Sequence, residues 1–178
     1  RSGSPCAAFL RFFADFPFFR VGGHLRSRLL LFRRFITRHP KDPDWPDRDR
    51  FVLSKGHAAI AYAPVLVDFG YMPEEELHIF NLTGAKIGMH LDCNKVRGCD
   101  VSTGSLGHGL SLAVGLALAG RQNKKDYMVY CMTGDGELNE GSNWEGAMAA
   151  AQFQLSNVVV LVDHNKLMID GGVNLIDT

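Results

Sequence analysis

The chain has no net charge, no paired-cysteine motif and no apolar run long enough to cross a bilayer, and each absence removes a class of function. Its 19 Lys and Arg balance 19 Asp and Glu over 178 residues, so overall charge points to no nucleic acid or other polyanion. Cys6, Cys93, Cys99 and Cys131 contain no C-x-x-C pair. That excludes the common zinc and redox motifs and gives no disulfide framework, so a reduced, cytoplasmic setting is expected. The longest apolar stretch read as a helix, Leu110–Ala119, is interrupted by Gly115 and falls well short of the roughly 20 residues that a membrane span needs. No internal repeat or low-complexity tract is present.

What remains fits one globular α/β domain with 46% hydrophobic residues, large enough for a real core. Its most informative part is the run from Met132 to Gly172. The apolar, β-rich residues Tyr127–Thr133 read as a buried strand feeding into Gly134-Asp135-Gly136. A helical stretch, Trp144–Leu155, and a second apolar strand, Val158–Asp163, then lead to His164-Asn165. Strand, helix, strand makes two parallel strands, which brings Asp135 and Asn165 to the same sheet edge. In open α/β sheets that carboxyl edge is where ligands bind, and glycines flanking Asp135 let the backbone approach a phosphate closely. A carboxylate and an amide oxygen with room for phosphate oxygens suit a hard cation such as Mg²⁺ or Ca²⁺ rather than zinc. The competing reading, a tight turn and a strand-end cap, explains the Gly-Asp-Gly alone but not the thirty-residue spacing to Asn165.

This segment resembles the thiamine-diphosphate fingerprint, Gly-Asp-Gly followed about thirty residues later by Asn, in its transketolase form. DRDRFVLSKGHAAIAYA (47–63), GMHLDCNKVRGCDVSTGSLGHGLSLAVGLALA (88–119) and GDGELNEGSNWEGAMAAA (134–151) look like the N-terminal, diphosphate-binding subunit of split transketolases. The likeness runs from about Pro40 to the C-terminus and implies a doubly wound, mostly parallel sheet.

The resemblance further implies that Asp135 and Asn165 ligate Mg²⁺ with the backbone carbonyl of Leu167, and that Gly134 and Gly136 lie against the diphosphate. His57, in SKGH, and His90, in GMH, match active-site histidines, and Leu106 and Gly107 match a loop beside the cofactor. Glu140 matches a buried acid near the subunit interface that links two active sites. The activity implied is transfer of a two-carbon ketol unit from a ketose phosphate to an aldose phosphate. A carboxylate that activates the cofactor belongs in the family to a separate pyrimidine-binding domain. The expected partner is therefore a C-terminal transketolase subunit in an α₂β₂ assembly. Deoxyxylulose-phosphate synthases and two-oxo-acid dehydrogenase subunits share Gly-Asp-Gly and Asn, but ELNEGSNWE looks like transketolase. A transketolase for an unusual sugar and a non-catalytic remnant are the other readings.

Three positions depart from the family pattern. His108 stands in place of Gln and adds a titratable group, Met89-His90-Leu91 replaces Gly-His-Pro, and Lys166 follows Asn165 where a small residue is common. Taken without the family, His57 is singled out by Lys55-Gly56 before it, at a junction between strand Phe51–Leu53 and helix Ala58–Asp68. His78 and His164 read as helix-surface and strand-end residues.

Residues 1–40 differ in kind, with eight Arg, no Lys, a single acid at Asp15 and eight of the twelve Phe. No clean period emerges, apart from a short helix read at Leu29–Ile36. A targeting presequence, a basic arm for a partner and sequence read out of frame compete. The last accounts best for Gly22-Gly23-His24 standing in poor register with the Gly-His-Pro-Gly-Gly-like start of the family. The domain proper is therefore read as 40–178. Pro73-Glu74-Glu75-Glu76 opens a helix with carboxylates that favour its dipole. Residues 84–109 form a binding loop, and Gly171-Gly172 a turn.

Overall fold

The computed structural model describes residues 36–37, 42–168 and 171–172. Of the sequence expectations, the Leu29–Ile36 helix, apart from Ile36 itself, and Gly22-Gly23-His24 lie outside them. Three strands run parallel in the order β1 (Arg50–Leu53), β2 (Val129–Gly134), β3 (Val158–Asp163). Between β1 and β2 come α1 (Ala59–Asp68), α2 (Glu75–His78), a long loop and α3 (His108–Gln122), and α4 (Gly141–Gln152) joins β2 to β3. Beyond β3, the two-residue strands β4 (Leu167–Met168) and β5 (Gly171–Gly172) pair antiparallel.

Alternation along β1 and β2 explains why both sheet faces are covered. Phe51 and Leu53 point into a core with Tyr62, Ala63 and Leu66 of α1 and with Ile87, Leu91 and Val96 of the long loop. Val52, Val129 and Cys131 point the other way, into a core with Leu110, Ala113 and Ala117 of α3. Successive strand residues face opposite sides, so a helical layer on each face is required. Leu66 and Ile87 are fully buried, each contributing roughly 1.5–3 kcal/mol. Residues Asp100 and Thr103 run along the outer edge of β1. There Asp100 accepts the Phe51 N–H at 2.8 Å and the Thr103 hydroxyl donates to the Leu53 carbonyl at 2.5 Å, covering an otherwise unpaired strand edge.

Several boundaries differ from the sequence reading. α4 starts at Gly141 rather than Trp144. Gly, Ser and Asn are poor helix formers, but Asn143 is held by donating its amide to the Glu137 carbonyl at 2.6 Å. α3 extends a little beyond Leu110–Ala119 at both ends. The acidic run at Glu74–Glu76 is structural as expected, with Glu76 paired to Lys86 at 3.0 Å, although α2 is a single turn. Gly171-Gly172, read as a turn, is instead the strand β5. Glycine takes extended backbone as readily as a turn, and pairing with β4 satisfies its peptide groups.

Candidate active site

β2 and β3 are in register, Gly134 opposite Asp163, so both strands end at the same level and the chemistry-bearing residues follow immediately. Asp135 is 2% exposed. Its N–H donates to the Asp163 carbonyl at 3.2 Å, as does that of Asn165 at 3.0 Å. One carboxylate oxygen of Asp135 accepts the Gly136 N–H at 2.9 Å and the other the Lys166 N–H at 2.7 Å. The segment after β3 is thereby fastened to the Gly-Asp-Gly turn, and Asp135 and Asn165 share one edge as their spacing predicts. Lys166 takes part through its backbone, with φ +59° and an exposed side chain. His164, read only as a strand-end residue, places Nδ1 3.2 Å from Asp135 Oδ2. Leu167 opens β4 opposite Gly172.

Below this turn, the Lys55 ammonium is paired with the Asp163 carboxylate, both side chains being at most 10% exposed. The second Asp163 oxygen is buried with no hydrogen-bond partner. In the sequence Lys55 registers only as a neighbour of His57, and the pair is invisible there because its members are 108 residues apart.

Glu137 opens the ELNEGSNWE run that resembles transketolase, but the resemblance implies no role for it. It is 3% exposed and accepts the Ser54 hydroxyl, the Gly107 N–H at 2.9 Å and the Gly134 N–H at 3.0 Å. Gly107 has φ +87°, and a Cβ there would come within 2.5 Å of Ser142 Oγ and 2.6 Å of Glu140 Cβ. This position therefore needs glycine. At Gly134 a Cβ would meet only ordinary contacts, the nearest at 3.7 Å from Lys55 Cδ. Leu106 is half-buried beside Gly107. Glu140, expected as a buried acid, is exposed on this chain. It lies at the extended residue where α4 begins, and the buried acid of the stretch is Glu137.

His57 sits in a one-turn 3₁₀ helix, Gly56–Ala58. A Cβ on Gly56 would fall 2.8 Å from the Thr103 carbonyl, so the glycine lets this turn close against the long loop. The His57 side chain is exposed on this chain, and partial desolvation, then the Lys55 charge, holds its imidazole below its ordinary 6.5, with His90 acting the same way and Glu137 opposing. His90 is exposed, and its ring lies against Gly104, where a Cβ would approach at 3.5 Å. His78 is exposed at the end of α2, as read, and His108 is exposed at the start of α3. Cys93 and Cys131 are free thiols, and burial pushes the Cys131 thiol up, leaving it inert.

At the amino end of the sheet lies a cavity of about 380 Å³ lined by Thr37, Asp47, Asp49, Lys124, Lys125 and neighbouring residues. Its groups are engaged with one another: Asp49 accepts from the Thr37 and Met128 N–H groups, both at 2.7 Å, and Lys125 pairs with Asp47 at 2.6 Å. The candidate site residues Asp135 and Asn165 lie at the carboxyl end instead. No helix among the described residues is long and apolar enough to cross a membrane.

A parallel sheet with helices on both faces and a carboxylate turn at its carboxyl edge defines an α/β cofactor-binding domain. Residues 23–178 match the family described as transketolase, thiamine diphosphate binding domain, a match that begins upstream of the boundary read at residue 40. The chain is 43% identical over 158 residues to an apulose-4-phosphate transketolase subunit of Actinobacillus succinogenes, covering 85% of this chain and 57% of that protein. To the 6-deoxy-6-sulfo-D-fructose transketolase subunit SqwG of a Clostridium species it is 43% identical over 154 residues, 85% of this chain and 56% of that protein. The crystal structure of transketolase from Campylobacter jejuni superposes with a TM-score of 0.77 at 31% identity, over 85% of this chain and 25% of that one. The chain belongs to the transketolase family and carries its thiamine diphosphate binding domain. It spans little more than half the length of these two relatives from split enzymes.

Proposed function

We propose that this chain is the diphosphate-binding part of a split transketolase, which transfers a two-carbon ketol unit from a ketose phosphate to an aldose phosphate when joined by a C-terminal subunit. The observation that carries this reading is Asp135: a buried carboxylate held by two backbone N–H groups where two register-matched parallel strands end, fastened to the Asn165 segment. The donor set fits a hard cation. Asp135 offers carboxylate oxygen, Asn165 amide oxygen and Leu167 its carbonyl, the ligand chemistry of Mg²⁺, with Ca²⁺ as the alternative ion. Among the described residues no three His, Cys, Asp or Glu side chains are grouped to hold an ion by themselves. In this reading the remaining ligands are diphosphate oxygens and water.

In this reading Asp135, Asn165 and Leu167 hold the metal, and Gly134 and Gly136 present side-chain-free backbone to the diphosphate. Leu106 and Gly107 pack beside the cofactor. Bound thiamine diphosphate supplies the nucleophilic carbon and the electron sink for carbon–carbon cleavage. His57, whose protonation partial desolvation and Lys55 disfavour, accepts or returns a hydroxyl proton, and His90 holds the donor sugar across the same loop. Glu140 is exposed on this chain at the start of α4, which supports a contact with another subunit. A partner contributes the carboxylate that activates the cofactor, in an α₂β₂ assembly. The free thiols of Cys93 and Cys131 support a cytoplasmic setting.

The names of two relatives, for apulose 4-phosphate and for 6-deoxy-6-sulfo-D-fructose, favour a second reading in which the sugar is a branched or sulfonated one. The test is ketol transfer from a panel of ketose donors, measured with this chain alone and with its C-terminal partner. Turnover only in the presence of the partner is expected, and appreciable turnover by the chain alone would rule out the half-site reading.

A further inference from the structure

Glu137 has no role in the proposed reaction. It is an acid buried to 3% exposure, and both its oxygens are spent on neutral donors from three separate segments. Ser54 follows β1, Gly107 caps α3, and Gly134 closes β2. Three donors on one carboxylate offset the cost of burying it. They also fix geometry, because in the proposed cofactor site Gly134 lies against the diphosphate and Gly107 belongs to the loop packed beside the cofactor. Gly107 cannot relax freely: its φ of +87° and its close packing on Ser142 and Glu140 leave one backbone conformation, and the Ser142 hydroxyl donates to its carbonyl at 3.0 Å. The main chain of Glu137 is fixed as well, since its carbonyl accepts the amide of the buried Asn143.

We infer that Glu137 is a positioning residue that sets the width of the diphosphate cradle by holding the Gly107 loop and the Gly134 turn on a single carboxylate. This rests on the proposed cofactor reading for its purpose, but the coupling of the two turns stands on the hydrogen bonds alone. The carboxylate is needed because each oxygen faces a backbone N–H. A glutamine has one acceptor and one donor end, so its amide must oppose either the Gly134 N–H or the Gly107 N–H whichever way it is turned. Both turns cannot be held at once. An aspartate keeps the charge but is one methylene shorter and cannot span the same two glycines.

The test uses the full chain with Glu137→Gln and Glu137→Asp, the second serving if the first does not fold, and Ser54→Ala as the comparison. Amide hydrogen exchange without cofactor should show segments 104–109 and 133–137 both losing protection by tenfold or more in the Glu137 variants. Ser54→Ala should leave both protected. Protection unchanged in either segment overturns the coupling. Titration with thiamine diphosphate and Mg²⁺ should show at least tenfold weaker binding by the folded Glu137 variants. A lowered melting temperature with wild-type affinity would make Glu137 merely structural and overturn the role in the cradle. Absence of binding by the wild-type chain, alone and with its partner, would instead sink the cofactor reading, while the exchange data still decide the coupling.

Discussion

Lys55 and Asp163, which lie 108 residues apart, form a buried ion pair directly beneath the turn that carries Asp135. The pair ties the second residue after β1 to the last residue of β3, so the outer strands of the three-stranded sheet are connected across β2 at their carboxyl ends. The backbone carbonyl of Asp163 also receives the N–H groups of Asp135 and Asn165. Whatever moves Asp163 therefore moves Asp135 and Asn165, two of the three proposed metal ligands.

Replacing Lys55 by Met should destabilise the chain strongly. It leaves Asp163 buried and charged without its cation, and one of its oxygens already has no partner. Breaking one side of a buried pair costs about 3–5 kcal/mol. The double change Lys55→Met with Asp163→Leu removes the unpaired charge and should recover most of that loss. Denaturant unfolding of the two single variants and the double variant measures the coupling, and strictly additive effects would show that the two side chains do not support each other.

Asp135→Ala should abolish metal-dependent cofactor binding and also lower stability. Two backbone N–H groups, of Gly136 and Lys166, lose their acceptor, at about 1–3 kcal/mol for each group left buried and unpaired. Calorimetric titration with thiamine diphosphate, with and without Mg²⁺, separates the effects. Unchanged affinity in the variant would defeat the metal assignment even if its melting temperature fell.

How much of this is legible in the sequence follows from the range over which each interaction acts. β3 is legible to the residue, because a continuous apolar run bounded by Asn157 and His164 is a local signal. The shared edge of Asp135 and Asn165 is equally legible, since a strand–helix–strand unit fixes it. Glu137 is not: its two neighbours in the chain say nothing about Ser54 and Gly107, which arrive from other segments to bury it. The start of α4 is hidden for a related reason, since Asn143 is held by the Glu137 carbonyl and not by propensity. His164 looks like a plain strand end because its contact with Asp135 spans the crossover.

Glycine substitutions should separate required from incidental flexibility. Gly107→Ala meets a left-handed backbone and contacts under 3 Å. It should cost roughly 1–2 kcal/mol for the backbone and about 1–3 kcal/mol more for overpacking. Gly115→Ala lies within α3, where nothing approaches within 4 Å of the new methyl group, and should stabilise by roughly 0.5–1 kcal/mol. Thermal unfolding of both variants checks the contrast; equal shifts would show that the α3 cap is not constrained as described.

The ionisation of His57 gives a prediction with a definite sign. Its imidazole is held below 6.5, first by partial desolvation, then by Lys55, with His90 adding to the effect and Glu137 working against it. The unfolded chain takes up this proton near 6.5, whereas the folded chain resists it until lower pH. The contribution is therefore fully present above 6.5 and is lost as pH falls from there through the folded value. Removing the Lys55 charge should move the His57 titration upward, and removing the Glu137 charge should move it further down. Following the imidazole Cε1–H resonance against pH in the wild type, Lys55→Met and Glu137→Gln reads each shift directly. A wild-type titration at or above 6.5 would mean that His57 is already protonated over much of the mildly acidic range, which would remove it as the neutral proton acceptor of the proposed reaction.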